Sequence, residues 1–155
     1  MAAPLDLDIL AGLRAIGIHE PSPEEPLHVR LVSALYRTRG ESWGNALIAI
    51  KFEFNWACNQ AGEVYANAKT DYERLIDIET TKIRATQEKV SRAEAEQIVR
   101  ATEEAYKLKL AFLVAEKREQ SMRKFLDTLG EALELHRTDR ADKRKTDSFH
   151  AEAGV

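Results

Sequence analysis

The chain has 155 residues, of which 32% are charged and 7% aromatic, with 7 Gly, 4 Pro and a net charge of -3. That length suits one domain with its own core, and a charge so close to zero leaves only a local basic patch as a route to binding a polyanion. The single cysteine, Cys58, excludes an internal disulfide, and the longest apolar runs, at 46–50 and 110–115, are far shorter than the ~20 residues a membrane span needs.

The first eight residues are acidic and lack the basic-then-apolar layout of a signal peptide. A soluble, cytoplasmic protein is therefore expected. Residues 5–18 carry Leu5, Ile9, Leu10, Leu13 and Ile16 at helical spacing, with Asp6 and Asp8 early and Gly17 late. Acid in the first turn and glycine near the exit predict a short amphipathic helix. It would dock on the main body, or serve as a detachable recognition helix for another protein.

Pro21, Pro23 and Pro26 stand among Glu20, Glu24 and Glu25, giving a stiff acidic linker over 19–26. Pro26 suits the first position of a helix. Leu27, Leu31, Val32 and Leu35 then form one face of a second short helix to about Arg39, and Gly40 breaks it.

Ser42 is a candidate N-cap for a long helix from Trp43 to about Glu88. At 1.5 Å per residue it would be roughly 70 Å long. Leu47, Ile50, Phe54, Ala57, Ala61, Val64 and Ala68 alternate three and four apart, the spacing of a seam against another helix. The pattern slips at Asp71 and resumes at Tyr72, Leu75 or Ile76, and Ile83, which changes the supercoil locally. Between Trp43 and Ala68 only Lys51, Glu53 and Glu63 are charged. Trp43, Ile48, Phe52, Trp56 and Tyr65 lie off the seam, so a second face needs cover from the N-terminal helices or from another copy of the chain.

Ser91 followed by Glu94 is a capping box, so a helix starts there and a turn is expected near 88–91. One unbroken helix from 43 to 136 is the alternative, because residues 89–92 hold no true breaker. From Ile98 the seam spacing runs through Ala101, Ala105, Leu108, Phe112, Ala115, Glu119, Met122, Leu126, Leu129 and Leu133 to His136. With a turn at 88–91, facing residues sum to about 179. This sets Phe54 near Phe125, Ala57 near Met122, Val64 near Ala115 and Ala68 near Ala111. Glu119 on the seam would fix register or oligomer state at some cost in stability. The helix is expected to continue to about Lys145, with residues 146–155 frayed.

Little in the chain points to catalysis. His19, His28, His136 and His150 are scattered, and the Glu25-x-x-His28 spacing is interrupted by Pro26, which argues against a di-iron bundle. Cys58 has no histidine at helical spacing and reads as a small buried hydrophobe. The glycines do not cluster into a phosphate-cradling loop. No enzyme activity, cofactor or metal is expected. Arg137, Arg140, Lys143, Arg144 and Lys145 make the C-terminal end locally basic, and Arg137, Arg140 and Arg144 share one helical face. They are either a solvated helix end in favourable dipole placement or a phosphate-binding patch.

The stretch from Lys89-Val90-Ser91-Arg92-Ala93-Glu94-Ala95-Glu96 to the Arg-Thr and Arg-Ala pairs at 137–141 resembles small coiled-coil proteins of bacteriophages, over roughly residues 60–150. Those proteins are commonly encoded beside replication and recombination genes. The resemblance implies a phage or prophage accessory protein working near single-stranded-DNA machinery, and it carries no functional residues across.

Together these signals predict an all-α protein. Residues 1–40 form two short helices joined by the proline linker, packed at the base of a long antiparallel helical hairpin over 41–145. The expected function is a non-enzymatic interaction or scaffold protein that binds itself, as a homo-oligomer, and another protein. Trp43, Phe52, Trp56, Leu110, Leu113 and Phe125 are the candidate contact residues. The alternative is a nucleic-acid-binding accessory protein using the basic end.

Overall fold

The computed structural model describes residues 25–87 and 89–153, together with Ala11 and Arg14. Nearly all of the helix expected at 5–18 and of the proline linker lies outside the described residues, as does Glu88 in the expected turn. Among the described residues the regular elements are all helices: α1 (Pro26–Arg37), α2 (Trp43–Thr86), α3 (Arg92–Arg100) and α4 (Glu103–Ala153). No helix is long and apolar enough to cross a membrane among the described residues. The chain forms two compact units, one combining Met1–Ala57 with Met122–Val155 and the other spanning Cys58–Ser121.

In the first unit, α1 begins at Pro26, whose missing N–H costs nothing at a position with no intrahelical acceptor. It ends two residues earlier than the leucine spacing suggests. The Thr38 N–H and hydroxyl both reach the Ala34 carbonyl, and Gly40 follows with φ of +84°, a left-handed conformation that favours glycine. The α2 helix opens with the Ser42 carbonyl accepting from the Asn45 and Ala46 N–H groups. Leu27, Leu31 and Leu35 of α1 meet Leu47, Ile50, Phe54 and Ala57 of α2 and Leu129 and Leu133 of α4 in one core. Leu31, Leu47, Ile50 and Leu129 are at most 1% exposed. Each such side chain stabilises the unit by roughly 1.5–3 kcal/mol.

The expected pairing of Phe54 with Phe125 is present as an edge-on contact, with ring centroids 6.1 Å apart, and Met122 packs on the core that holds Ala57. At the start of α2, Gly44 lies so close to His136 that a Cβ there would stand 2.8 Å from the imidazole ring.

In the second unit, α2 ends at Thr86, whose hydroxyl donates to the Lys82 and Ile83 carbonyls. The capping box is in place: the Glu94 N–H donates to the Ser91 hydroxyl at 3.2 Å, and the Ser91 N–H donates to the Glu94 carboxylate at 3.0 Å. The Ser91 backbone N–H, and after it the Ser91 side chain, hold the Glu94 carboxyl below its usual range.

The helix opened by that box is short. It stops at Arg100, and Thr102 caps the next one by accepting from the Ala105 N–H while its own hydroxyl donates to the Val99 carbonyl. The unbroken seam from Ile98 is therefore incorrect at its start. Ile98 is 51% exposed and Ala101 is exposed, whereas Ala95 and Val99 are buried. Sequence spacing missed the break because Ala101-Thr102 contains neither glycine nor proline.

The interrupted helix also changes the contacts expected from a register sum of about 179. Val64 is 57% exposed and Ala111 is exposed, so neither is buried as the expected pairs Val64–Ala115 and Ala68–Ala111 would have it. Tyr65 and Tyr72 instead stack on the two sides of the Phe112 position, with centroids 5.7 and 6.2 Å from its ring. Tyr72, Ile76, Val99 and Ala105 form the buried centre, with Asp71 exposed beside it, as the slip in the seam suggests.

The C-terminal helix continues past Lys145 to Ala153, where fraying was expected from 146. No glycine or proline intervenes before Gly154, and the Thr146 and Ser148 hydroxyls donate to the Asp142 and Lys145 carbonyls.

Two glycines in α2 give opposite expectations. A Cβ at Gly62 meets nothing within 4 Å, so Gly62→Ala should stabilise the protein by up to ~1 kcal/mol through helix propensity alone. At Gly44 the imidazole of His136 must shift, so Gly44→Ala should lower the melting temperature despite the same propensity gain; thermal unfolding followed by circular dichroism compares them. The capping box gives a pH signature. Because the folded-state carboxyl of Glu94 titrates below 4.5, its stabilisation is present above that pH and lost as pH falls through the folded value. Glu94→Ala should therefore destabilise the protein at pH 7, with a deficit that narrows below pH ~4.5 in urea titrations.

Candidate functional site

A cluster of buried charge joins α1 to α2 in the first unit. Glu53 is 7% exposed and accepts from Arg30 Nε at 2.7 Å and from Arg37 at 3.4 Å. The Arg30 guanidinium also lies 4.2 Å from the Trp56 ring centroid, at cation–π distance. Glu53 thus sits where α1 covers α2, and its desolvation is offset by two cations whose outer ends reach solvent. This arrangement holds two helices together and offers no nucleophile or acid–base pair. Sequence reasoning saw Glu53 only as one of few charges, because its partners lie 23 and 16 residues away.

The candidate contact residues separate into two groups. Trp56 and Phe125 are half-buried and engaged within the unit, the first under Arg30 and the second against Phe54, so neither is a free contact surface. Trp43, Phe52, Leu110 and Leu113 are exposed, Phe52 at 70%. Ile48 lies one turn before Phe52 and is also exposed. Of the off-seam side chains that needed cover, α1 shields Trp56 but leaves Phe52 and Ile48 to solvent. Trp43 also lines an open hollow of about 390 Å³ with Leu135 and His136.

In the second unit α4 bears two stripes. Ala105, Leu108, Phe112 and Ala115 face the core. Tyr106, Leu110, Leu113 and Val114 are between 41% and 61% exposed and fall on the opposite side of the helix. Glu119, on the seam, is buried at 8% exposure. Cys58, expected to be buried, is partly exposed.

All five basic residues of the C-terminal end are exposed on α4. Arg137 donates to Glu134 at 2.6 Å one turn earlier, and Asp139 and Asp142 are interleaved with the others. Among the described residues no group of three or more His, Cys, Asp or Glu side chains is arranged to hold a metal ion. No family model, curated protein or solved structure matches the chain.

The two sides of the buried ion pair should respond unequally to substitution. Arg30→Ala leaves the Glu53 carboxylate, 10% exposed, with only the longer Arg37 contact, and should cost about 3 kcal/mol. Glu53→Leu leaves two arginines whose side chains are 42% and 68% exposed and able to hydrate, so it should cost less than ~1 kcal/mol. Urea unfolding of both variants measures the asymmetry.

Proposed function

We propose that the chain is a non-enzymatic helical interaction protein, a scaffold that acts through protein–protein contacts. The observation that carries this reading is the Ile48–Phe52 pair, one turn apart and exposed at 39% and 70% on the opening stretch of α2, whose Leu47, Ile50 and Phe54 pack with α1 and α4. An apolar pair of this kind costs solubility and stabilises the chain only when something covers it. The likeness of residues 60–150 to phage coiled-coil proteins supports a phage or prophage accessory role.

Within this reading α2 and α4 are the antiparallel arms of a helical hairpin, reversed through residues 87–102. Supporting it are the contacts Gly44–His136, Phe54–Phe125 and Tyr65–Phe112, in which rising numbers on α2 meet falling numbers on α4.

A second reading, a nucleic-acid-binding accessory, is favoured by one feature: Arg137, Arg140 and Arg144 lie exposed along one helix face, with Lys143 and Lys145 beside them. Phosphate binding there would weaken steeply with salt.

A photo-crosslinking residue at position 52 in the native host should capture one defined protein, and Phe52→Asp should abolish its co-purification while leaving the helical circular dichroism unchanged. Absence of any specific crosslink would overturn the protein-contact reading. For the second reading, a shift assay should show salt-sensitive DNA binding that is lost when Arg137, Arg140 and Arg144 become Ala. No binding, or equal binding by that variant, removes it.

A further inference from the structure

Tyr106, Leu110 and Leu113 lie three and four residues apart on α4, with Val114 beside them, all at least 41% exposed. Continuing the same spacing outward reaches Glu103 at one end and Lys117 at the other. The stripe is therefore a short helix-pairing seam, apolar in the middle and closed by charges of opposite sign. It lies on the opposite side of α4 from the stripe that Leu108 and Phe112 turn to the core. Nothing within the unit needs it.

We propose that this face pairs with the same face of a second copy of the chain, antiparallel, about a two-fold axis near Leu110. The inference rests on the protein-contact reading above and names one partner for it. The argument for a second copy is charge. Antiparallel pairing about Leu110 puts residues whose numbers sum to about 220 opposite each other. Glu103 then meets Lys117 of the second copy, and the two-fold repeats that pair at the other end. Parallel pairing would set Glu103 against Glu103 and Lys117 against Lys117, and like charges across an interface are strongly disfavoured. The intrahelical contacts of these groups, Lys107 to Glu103 at 3.5 Å and Lys117 to Gln120 at 3.1 Å, are exposed and are exchanged at little cost.

The experiment is sedimentation equilibrium on the full chain and on two charge-reversed variants, up to about 100 μM. The first variant is Glu103→Lys, and the second is Lys117→Glu. Wild type should be dimeric. Each variant alone should raise the dimer Kd by on the order of 100-fold, because like charges meet at both ends. Mixing the two should restore a heterodimer, since acid and base again face each other. Circular dichroism confirms that both variants stay helical, and rescue by mixing itself excludes misfolding.

A monomeric wild type would overturn the inference, as would a dimer indifferent to both reversals. If that happened while the crosslink at position 52 persisted, only the self-pairing would fall and the protein-contact reading would stand.

Discussion

The first unit depends on a single constraint: the opening of α2 is apolar on two sides. Between Trp43 and Ala57 only Lys51 and Glu53 carry charge, so one covering helix is not enough. Leu129 and Leu133 of α4 take one side, and Leu27, Leu31 and Leu35 of α1 take the other. The four side chains at this triple contact exposed by 1% or less contribute roughly 1.5–3 kcal/mol each. The Glu53 pairs cannot match that sum, because an ion pair loses most of its Coulomb gain to desolvation. The apolar contact holds the helices together, and Arg30, Glu53 and Trp56 determine which face of α1 is presented.

The second unit is built on a leaner principle. Its buried centre holds two tyrosines' worth of stacking on Phe112 around Ile76, Val99 and Ala105, with small residues where the first unit has leucines. Aromatic rings pack over a range of offsets and so tolerate the change of spacing at Asp71 that a leucine seam would not. That tolerance accommodates the short helix α3 between α2 and α4. It also explains why α4 carries its remaining apolar side chains outward: the core of this unit is filled by one stripe.

How much could be read from the residues depended on the range of the interaction. The capping box was legible because Ser91 and Glu94 are three residues apart and satisfy each other. Pro26 and Gly40 bounded α1 for equally local reasons. The requirement for a second covering helix was legible from charge depletion, and so was the Phe54–Phe125 contact from seam spacing. The break at Ala101-Thr102 was not: its signal, a threonine cap followed by Glu103 and Glu104, competes with an apolar spacing that continues straight through it. Nor could spacing distinguish Trp56 from Phe52, two aromatics four residues apart. The difference is Arg30, which lies over one and not the other.

The two surfaces that α4 presents answer to opposite physics, and this bears on what the helix is for. The outward stripe around Leu110 gains from anything that strengthens apolar burial, so excluded salts such as sulfate would favour the proposed pairing even as they screen its charged ends. The C-terminal end gains only from counterion release, which every added salt opposes. There Asp139 and Asp142 dilute the cations, and Glu134 already holds Arg137. A helix selected for phosphate would not be expected to keep acids between its basic residues, whereas alternating charge is what a solvated helix of this length needs to stay soluble. On that ground the apolar face, more than the basic end, is the part of α4 that the chain's own stability does not explain.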